Sequence, residues 1–180
     1  MAVKTHFTDV ENDTPTESNI PSRDGRWKYP SQKQFYNATT RNGNKVNRKL
    51  IPHIVQIHNQ VNEEAWRRVL EYEDFHDCAN PFLSHFSNNK KKLSVKARVR
   101  GWIGYDPPFD RHDWLVERCG TQIRYIIDFY KGVPSKNMQI DSGNNDINDE
   151  ISIYMDVRPA PTIGGIIDRL RMSYKKKIRS

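Results

Sequence analysis

The strongest helical periodicity runs over residues 59–75, where Ala65, Trp66, Val69 and Glu73 recur at the spacing of one helix face. Asn59 or Asn62 can cap this helix, and Glu63 and Glu64 suit the positive end of its dipole. A shorter helix is expected over residues 32–39, after Pro30. Val95 to Ile103 alternates differently: odd positions are small or apolar, while even positions are Lys96, Arg98, Arg100 and Trp102. That pattern predicts a half-buried strand with a basic face. Ile123, Tyr125, Ile127 and Phe129 predict a strand over 122–130, with Gly120 permitting the turn before it, and residues 151–157 predict another. Residues 163–177 read as an amphipathic helix whose stripe is Ile163, Ile166, Ile167, Leu170 and Tyr174, with Gly164 and Gly165 weakening its first turn. Residues 76–94 and 131–149 read as loops, the second a mobile one. Residues 1–25 are polar and hold Pro15, Pro21 and Gly25, which predicts a disordered tail and leaves 26–180 as a single domain. The expected class is α+β, a small antiparallel sheet flanked by helices.

Charge sharpens this picture. Across 180 residues, 29 Lys and Arg face 22 Asp and Glu, a net +7. Residues 1–21 hold one of those bases, Lys4, and four of the acids, so the remainder carries 28 and 18, or +10. A basic folded region implies an anionic partner: nucleic acid, lipid headgroup or a carboxylate-bearing ligand. The acidic start excludes an Arg-rich presequence there, and no secretory core is seen. No apolar run approaches the ~20 residues of a membrane-spanning helix. Cys78 and Cys119 lie far apart in the chain and form no CxxC, so both are expected as reduced thiols.

The chemistry-bearing residues gather in two segments. One is Ile57 to Trp66, holding His58, Asn59, Glu63 and Trp66; the other is Gly104 to Gly120, holding Phe109, Arg111, His112 and Arg118. Pro107 and Pro108 stiffen the second segment around Asp110, Arg111, His112 and Asp113. His112 between two aspartates reads either as a buried polar clasp or as acid–base machinery. His76, Cys78 and His85 lack a fourth ligand at zinc spacing, and no recognised nucleophile elbow, P-loop or GxGxxG is present. Histidine, aromatics and arginines together suit a planar, anionic, metal-bearing ligand. They would also suit single-stranded RNA, although no RNP-type or KH-type signature accompanies them.

Five segments then carry a resemblance: WKYPSQKQFYNA (27–38), IHNQVNEEAW (57–66), GWIGYDPPFDRHDW (101–114), RCGTQIRYIIDFY (118–130) and MDVRPAP (155–161). Together they resemble the mitochondrial cytochrome c-type heme lyases, or holocytochrome c synthases. The resemblance implies an enzyme that joins heme b to the CxxCH cysteines of apocytochrome c, apocytochrome c1 or both, through two thioether bonds. It implies His58 as axial ligand to the heme iron, and functional weight for Glu63 and Arg118. Trp27 and Tyr29 match the family's heme-contact region. Trp66 and Phe109 are then candidate walls, Asn59 or Glu63 candidate orienters of His58, and Arg111 a candidate propionate partner, with His112 a candidate catalytic group. Nucleophiles supplied by the substrate's own cysteines explain why this chain shows none. The alternatives are a non-catalytic heme carrier and, further off, a basic RNA-binding module; the lyase reading expects no nucleic acid. Its expected location is the mitochondrial intermembrane space, peripheral on the inner membrane, with the basic C-terminal helix either lying on anionic lipid or simply packed.

Overall fold

The computed structural model describes residues 13–41, 43, 46–88, 93–132 and 153–179. They form an α+β fold with strands β1 (Thr16–Ser22), β2 (Gly25–Tyr29), β3 (Phe82–Asn88), β4 (Asp110–Arg118), β5 (Thr121–Lys131) and β6 (Ile153–Pro159). The helices are α1 (Gln32–Arg41), α2 (Ile51–Glu73), α3 (Val95–Trp102) and α4 (Ile163–Arg179). The strands hydrogen-bond in the order β2-β1-β3-β4-β5-β6. The sheet is mixed and not purely antiparallel, because β1 runs parallel to β3 at Ser22 and Leu83. Contacts cluster in two compact units, Met1–Ser84 with Glu117–Thr121, and His85–Val116 with Gln122–Ser180.

In the first unit, α2 begins eight residues before the sequence pattern suggested, at Ile51 rather than 59. Pro52 sits in its first turn, where a missing N–H costs nothing, and Ile51 and Val55 extend the buried stripe of Ala65, Trp66 and Val69 backwards. β1 starts at Thr16, inside the stretch read as a tail, and is held by the fully buried Ile20 and by its pairing with β2. Its single inward apolar side chain is too little for a strand signal. β3 likewise lies within what read as a loop. Residues 1–12 and the expected mobile loop beyond Gly132 lie outside the described residues.

In the second unit, β5 is buried continuously from Tyr125 to Phe129 and pairs antiparallel with β6 from Tyr125–Pro159 to Lys131–Ile153. Burial on both faces explains the dense apolar text there. Residues 95–102, expected as a strand, form helix α3. Ser94 caps it: its Oγ accepts the Ala97 N–H at 3.1 Å and donates to Asp128 at 2.7 Å, and Arg158 donates to it at 2.8 Å. Only Ala97 is buried in α3, and Lys and Arg are good helix formers at the remaining exposed positions. Beneath the cap, Arg158 pairs with Asp128 at 2.5 Å and with Asp156 at 2.8 Å, a buried ionic knot that seats the helix start on β5 and β6.

The cysteines are not reduced thiols. Cys78 and Cys119 form a disulfide with Cα atoms 5.9 Å apart. It ties the chain after α2 to the β4–β5 turn, where Cys119 and Gly120 both adopt positive φ, 42° and 89°. A separation of 41 residues corresponds to about 4 kcal/mol of unfolded-chain entropy in the loop-closure account. Cys78→Ser, or reductant on the wild type, is therefore expected to lower the thermal midpoint by well over 5 °C, at about 2–4 °C per kcal/mol for a chain of this length. Thiol titration of denatured, unreduced protein should find no free thiol. A midpoint indifferent to both treatments would remove the disulfide from the stability account.

Candidate functional site

Within the first unit the expected residues gather along one length of α2. His58 is half-buried on that helix, with the ring of Phe35 from α1 set edge-on at 5.7 Å. Asn62, one turn on, places its Nδ2 3.2 Å from His58 Nδ1 and donates to the His58 carbonyl at 3.0 Å. Asn62 is buried, and its Oδ1 has no hydrogen-bond partner. With the amide nitrogen donating to Nδ1, the imidazole carries its proton on Nε2. Turning the same amide over would present Oδ1 to an Nδ1–H and leave the Nε2 lone pair for a metal, at the loss of the bond to the His58 carbonyl. Asn59 or Glu63 was expected from sequence to orient this ring; the side chain seen at its Nδ1 is Asn62.

Glu63 has a different task. Its Oε1 accepts from the Tyr29 hydroxyl at 3.0 Å and from the Asn19 backbone N–H at 3.0 Å, which binds β1 and β2 to α2. Burial, chiefly, pushes the Tyr29 hydroxyl above its ordinary range, and the Glu63 charge adds to the effect. Tyr29, Asn59 and Glu63 line a cleft of about 490 Å³, together with Glu17, Glu64 and Arg67. Its volume is that of a small-molecule site, but its lining is more acidic than a dianionic ligand would choose. Arg67, by hydrogen bond first, draws the Glu64 carboxyl down to about 2. Trp27 is half-buried on β2, two residues from Tyr29. Trp66 is 5% exposed and belongs to the core instead of a cleft wall.

Arg118 closes this unit. Its Nε and Nη2 meet the two carboxylate oxygens of Glu73 at 2.6 and 2.8 Å, a bidentate pair on a carboxylate that is almost wholly buried. The Arg118 guanidinium thus works beside the Cys78–Cys119 bridge, fastening the β4–β5 turn to the end of α2.

The other expected residues lie in the second unit. His112 is buried between the rings of Phe86 at 4.8 Å and Phe129 at 4.9 Å, both edge-on, with Nε2 3.3 Å from Asp110. Arg111 is buried as well, and Asp113 holds its guanidinium at 3.0 and 3.2 Å, so its charge is matched internally. Phe109 does stand at a cavity, of about 830 Å³, with Arg100, Tyr105, Tyr130, Lys131 and Tyr154. The Arg100 guanidinium lies over the rings of Tyr105 and Tyr130 at 5.3 and 5.8 Å. Burial raises the Tyr130 hydroxyl above its ordinary value. Arg100, Tyr130 and Tyr154 come from three elements far apart in the chain, and no local motif joins them. Asn62, by contrast, was readable as the i+4 neighbour of His58 once the helix was drawn. Among the described residues no three His, Cys, Asp or Glu side chains are placed to hold a metal ion, and Cys78 is committed to the disulfide.

Comparison with known proteins agrees with the motif reading. The family model for cytochrome c/c1 heme lyase matches residues 9–79 and 74–173. The holocytochrome c-type synthase of Bos taurus is 38% identical over 170 residues, covering 88% of this chain and 58% of that protein. The Homo sapiens protein of the same description is 38% identical over 170 residues, covering 88% and 59%. That of Gallus gallus is 39% identical over 169 residues, covering 88% and 58%. The chain thus spans a little under three fifths of the length of these relatives. No solved structure matches it.

Arg118→Ala would leave the Glu73 carboxylate buried without its guanidinium, a change that typically costs 3–5 kcal/mol, roughly. Denaturant midpoints should fall accordingly, and Arg118→Lys should recover only part because one ammonium cannot span both oxygens. His112→Ala should also destabilise, by about 1–3 kcal/mol for a lost buried ring and its aspartate contact. A wild-type midpoint in Arg118→Ala would show the pair to be idle.

Proposed function

Because the chain belongs to the cytochrome c/c1 heme lyase family, we propose that it is a holocytochrome c-type synthase that joins heme b to the CxxCH cysteines of an apocytochrome c or c1. Heme is substrate in this reading, and His58 is its axial ligand. The observation that carries the assignment is the His58–Asn62 pair: a half-buried imidazole whose Nδ1 is met by an amide with a spare, buried carbonyl oxygen. A neutral imidazole binds iron through one nitrogen when the other gives its proton to an acceptor, and the reversed Asn62 amide supplies that acceptor. Trp27 and Tyr29 are proposed as aromatic contacts in the same unit. Glu63 and Arg118 act as positioning residues: one ties β1 and β2 to the helix bearing His58, the other fixes that helix's end. His112 is proposed as a clasp.

The chemistry asks little of the protein beyond placement. Each cysteine thiol adds across a vinyl double bond; a carbon–sulfur bond forms and the thiol proton moves to the vinyl's terminal carbon, with no net oxidation. Holding such partners in contact can offset ~7–11 kcal/mol of barrier in favourable cases. A non-catalytic carrier would bind heme by the same ligand and stop there. We propose an intermembrane-space location, peripheral on the inner membrane. The Cys78–Cys119 bridge supports an oxidising compartment. No helix among the described residues is long and apolar enough to cross a membrane.

Co-expression with an apocytochrome c, in cells lacking another maturation system, tests the proposal by covalent heme staining and a pyridine hemochrome spectrum. His58→Ala should lose both co-purified heme and the covalent product. Asn62→Leu should retain the fold but bind heme more weakly, by about 10–100-fold for a lost outer-shell partner. Product formation by His58→Ala would refute the ligand assignment, and heme retention without thioethers in the wild type would favour the carrier.

A further inference from the structure

Helix α4 is turned outward. Successive residues step about 100° around a helix, which places Ile163, Ile167, Leu170, Tyr174 and Ile178 on one stripe, with Ile166 at its edge. Gly165, Asp168 and Met172 lie on the opposite side. The buried side is the second one: Asp168 and Met172 are 3% and 4% exposed, whereas Leu170, Tyr174 and Ile178 are 67%, 69% and 66% exposed. The apolar stripe is therefore the side that faces away from its unit.

The seat of the helix shows why it cannot simply roll over. Gly165 approaches the Ala160 backbone so closely that a Cβ there would lie 2.0 Å from the carbonyl oxygen. Arg169 donates to the Pro159 carbonyl from the same side. The small residue and the arginine anchor fix the helix's rotation and leave six large apolar side chains in water. Such a face is a binding surface in most proteins.

Charge selects its occupant. Arg171 and Lys177 flank the stripe, Lys176 is also exposed, and the helix's only acid is the buried Asp168, which lies 3.8 Å from an Arg171 side chain that is still 54% exposed. Pairing with a second copy through this face would gather the cations of both helices with no solvent-facing acid to offset them. A flat anionic surface satisfies both the apolar stripe and its cationic margins, with α4 lying in the interfacial plane. We propose that α4 docks this protein on a bilayer bearing anionic lipid, through Ile163, Ile167, Leu170 and Tyr174 in the acyl boundary and Arg171 and Lys177 at the headgroups. This deepens the membrane-peripheral placement proposed above, and it is tested without heme or apocytochrome, so its failure would leave the heme reading standing.

The experiment is co-sedimentation of the full chain with phosphatidylcholine vesicles, with and without phosphatidylglycerol. The protein should pellet with the anionic vesicles, less so as salt is raised. Ile167→Glu combined with Leu170→Glu should weaken binding more than ~10-fold while leaving the thermal midpoint unchanged, since both side chains face water. Arg171→Glu with Lys177→Glu should weaken it about 25-fold or more, from roughly fivefold per cation. The proposal is overturned if the wild type stays in the supernatant at low salt, or partitions equally onto both vesicle types. It is also overturned if either folded double variant pellets as well as the wild type, or if ultracentrifugation shows a dimer that Leu170→Glu dissolves.

Discussion

One buried carboxylate organises the first unit. Glu73 ends α2 inside the protein, and a negative charge at that depth is tolerable only because Arg118 grips both of its oxygens. The pair joins two parts of the chain 45 residues apart, and the disulfide from Cys78 to Cys119 repeats the same connection from the residue after Arg118 to the segment just past α2. α2 is thus fixed at its far end, while Glu63 fixes its middle to β1 and β2 through Tyr29 and Asn19. His58 presents a half-buried nitrogen base on that helix, beside a cleft-lining neighbour, Asn59.

The second unit is built on the same logic with different chemistry. Ser94, Asp128, Arg158 and Asp156 form a set of short bonds, joined by Lys96 at Asp156, that determines where α3 begins. Arg111 is matched by Asp113, and His112 sits against Asp110, on a strand that is buried on both faces. The polar density of PFDRHDW is therefore spent largely inside the protein. Its exposed remainder is Phe109, which joins residues from three other elements around an aromatic, cationic cavity.

Much of this was legible in the sequence, and the failures have physical causes. α2, β5, β6 and α4 each carry a long run of one periodicity, and each formed near its expected place. This segment satisfied two readings at once: Val95, Ala97 and Val99 alternate with bases, as a strand requires, while Val95, Val99 and Trp102 recur at i, i+4 and i+7, as a helix requires. The choice was made by Asp128 and Arg158 at the Ser94 cap, which no local window contains. The same limit hid the Arg118–Glu73 pair and the disulfide, whose partners lie more than 40 residues apart. For α4 the stripe is plain in the sequence but its direction stays open there, because only the close approach of Gly165 to Ala160 reveals which side is seated.

Cys119 holds a left-handed backbone conformation, φ 42°, that side-chain-bearing residues other than asparagine and aspartate seldom adopt. Nothing but its sulfur recommends cysteine for that corner. In evolution the two bridge positions should accordingly drift as a linked pair: lineages that abandon the cysteine after α2 would be freed to place glycine or asparagine at the hairpin corner, relieving torsional strain as they surrender the crosslink.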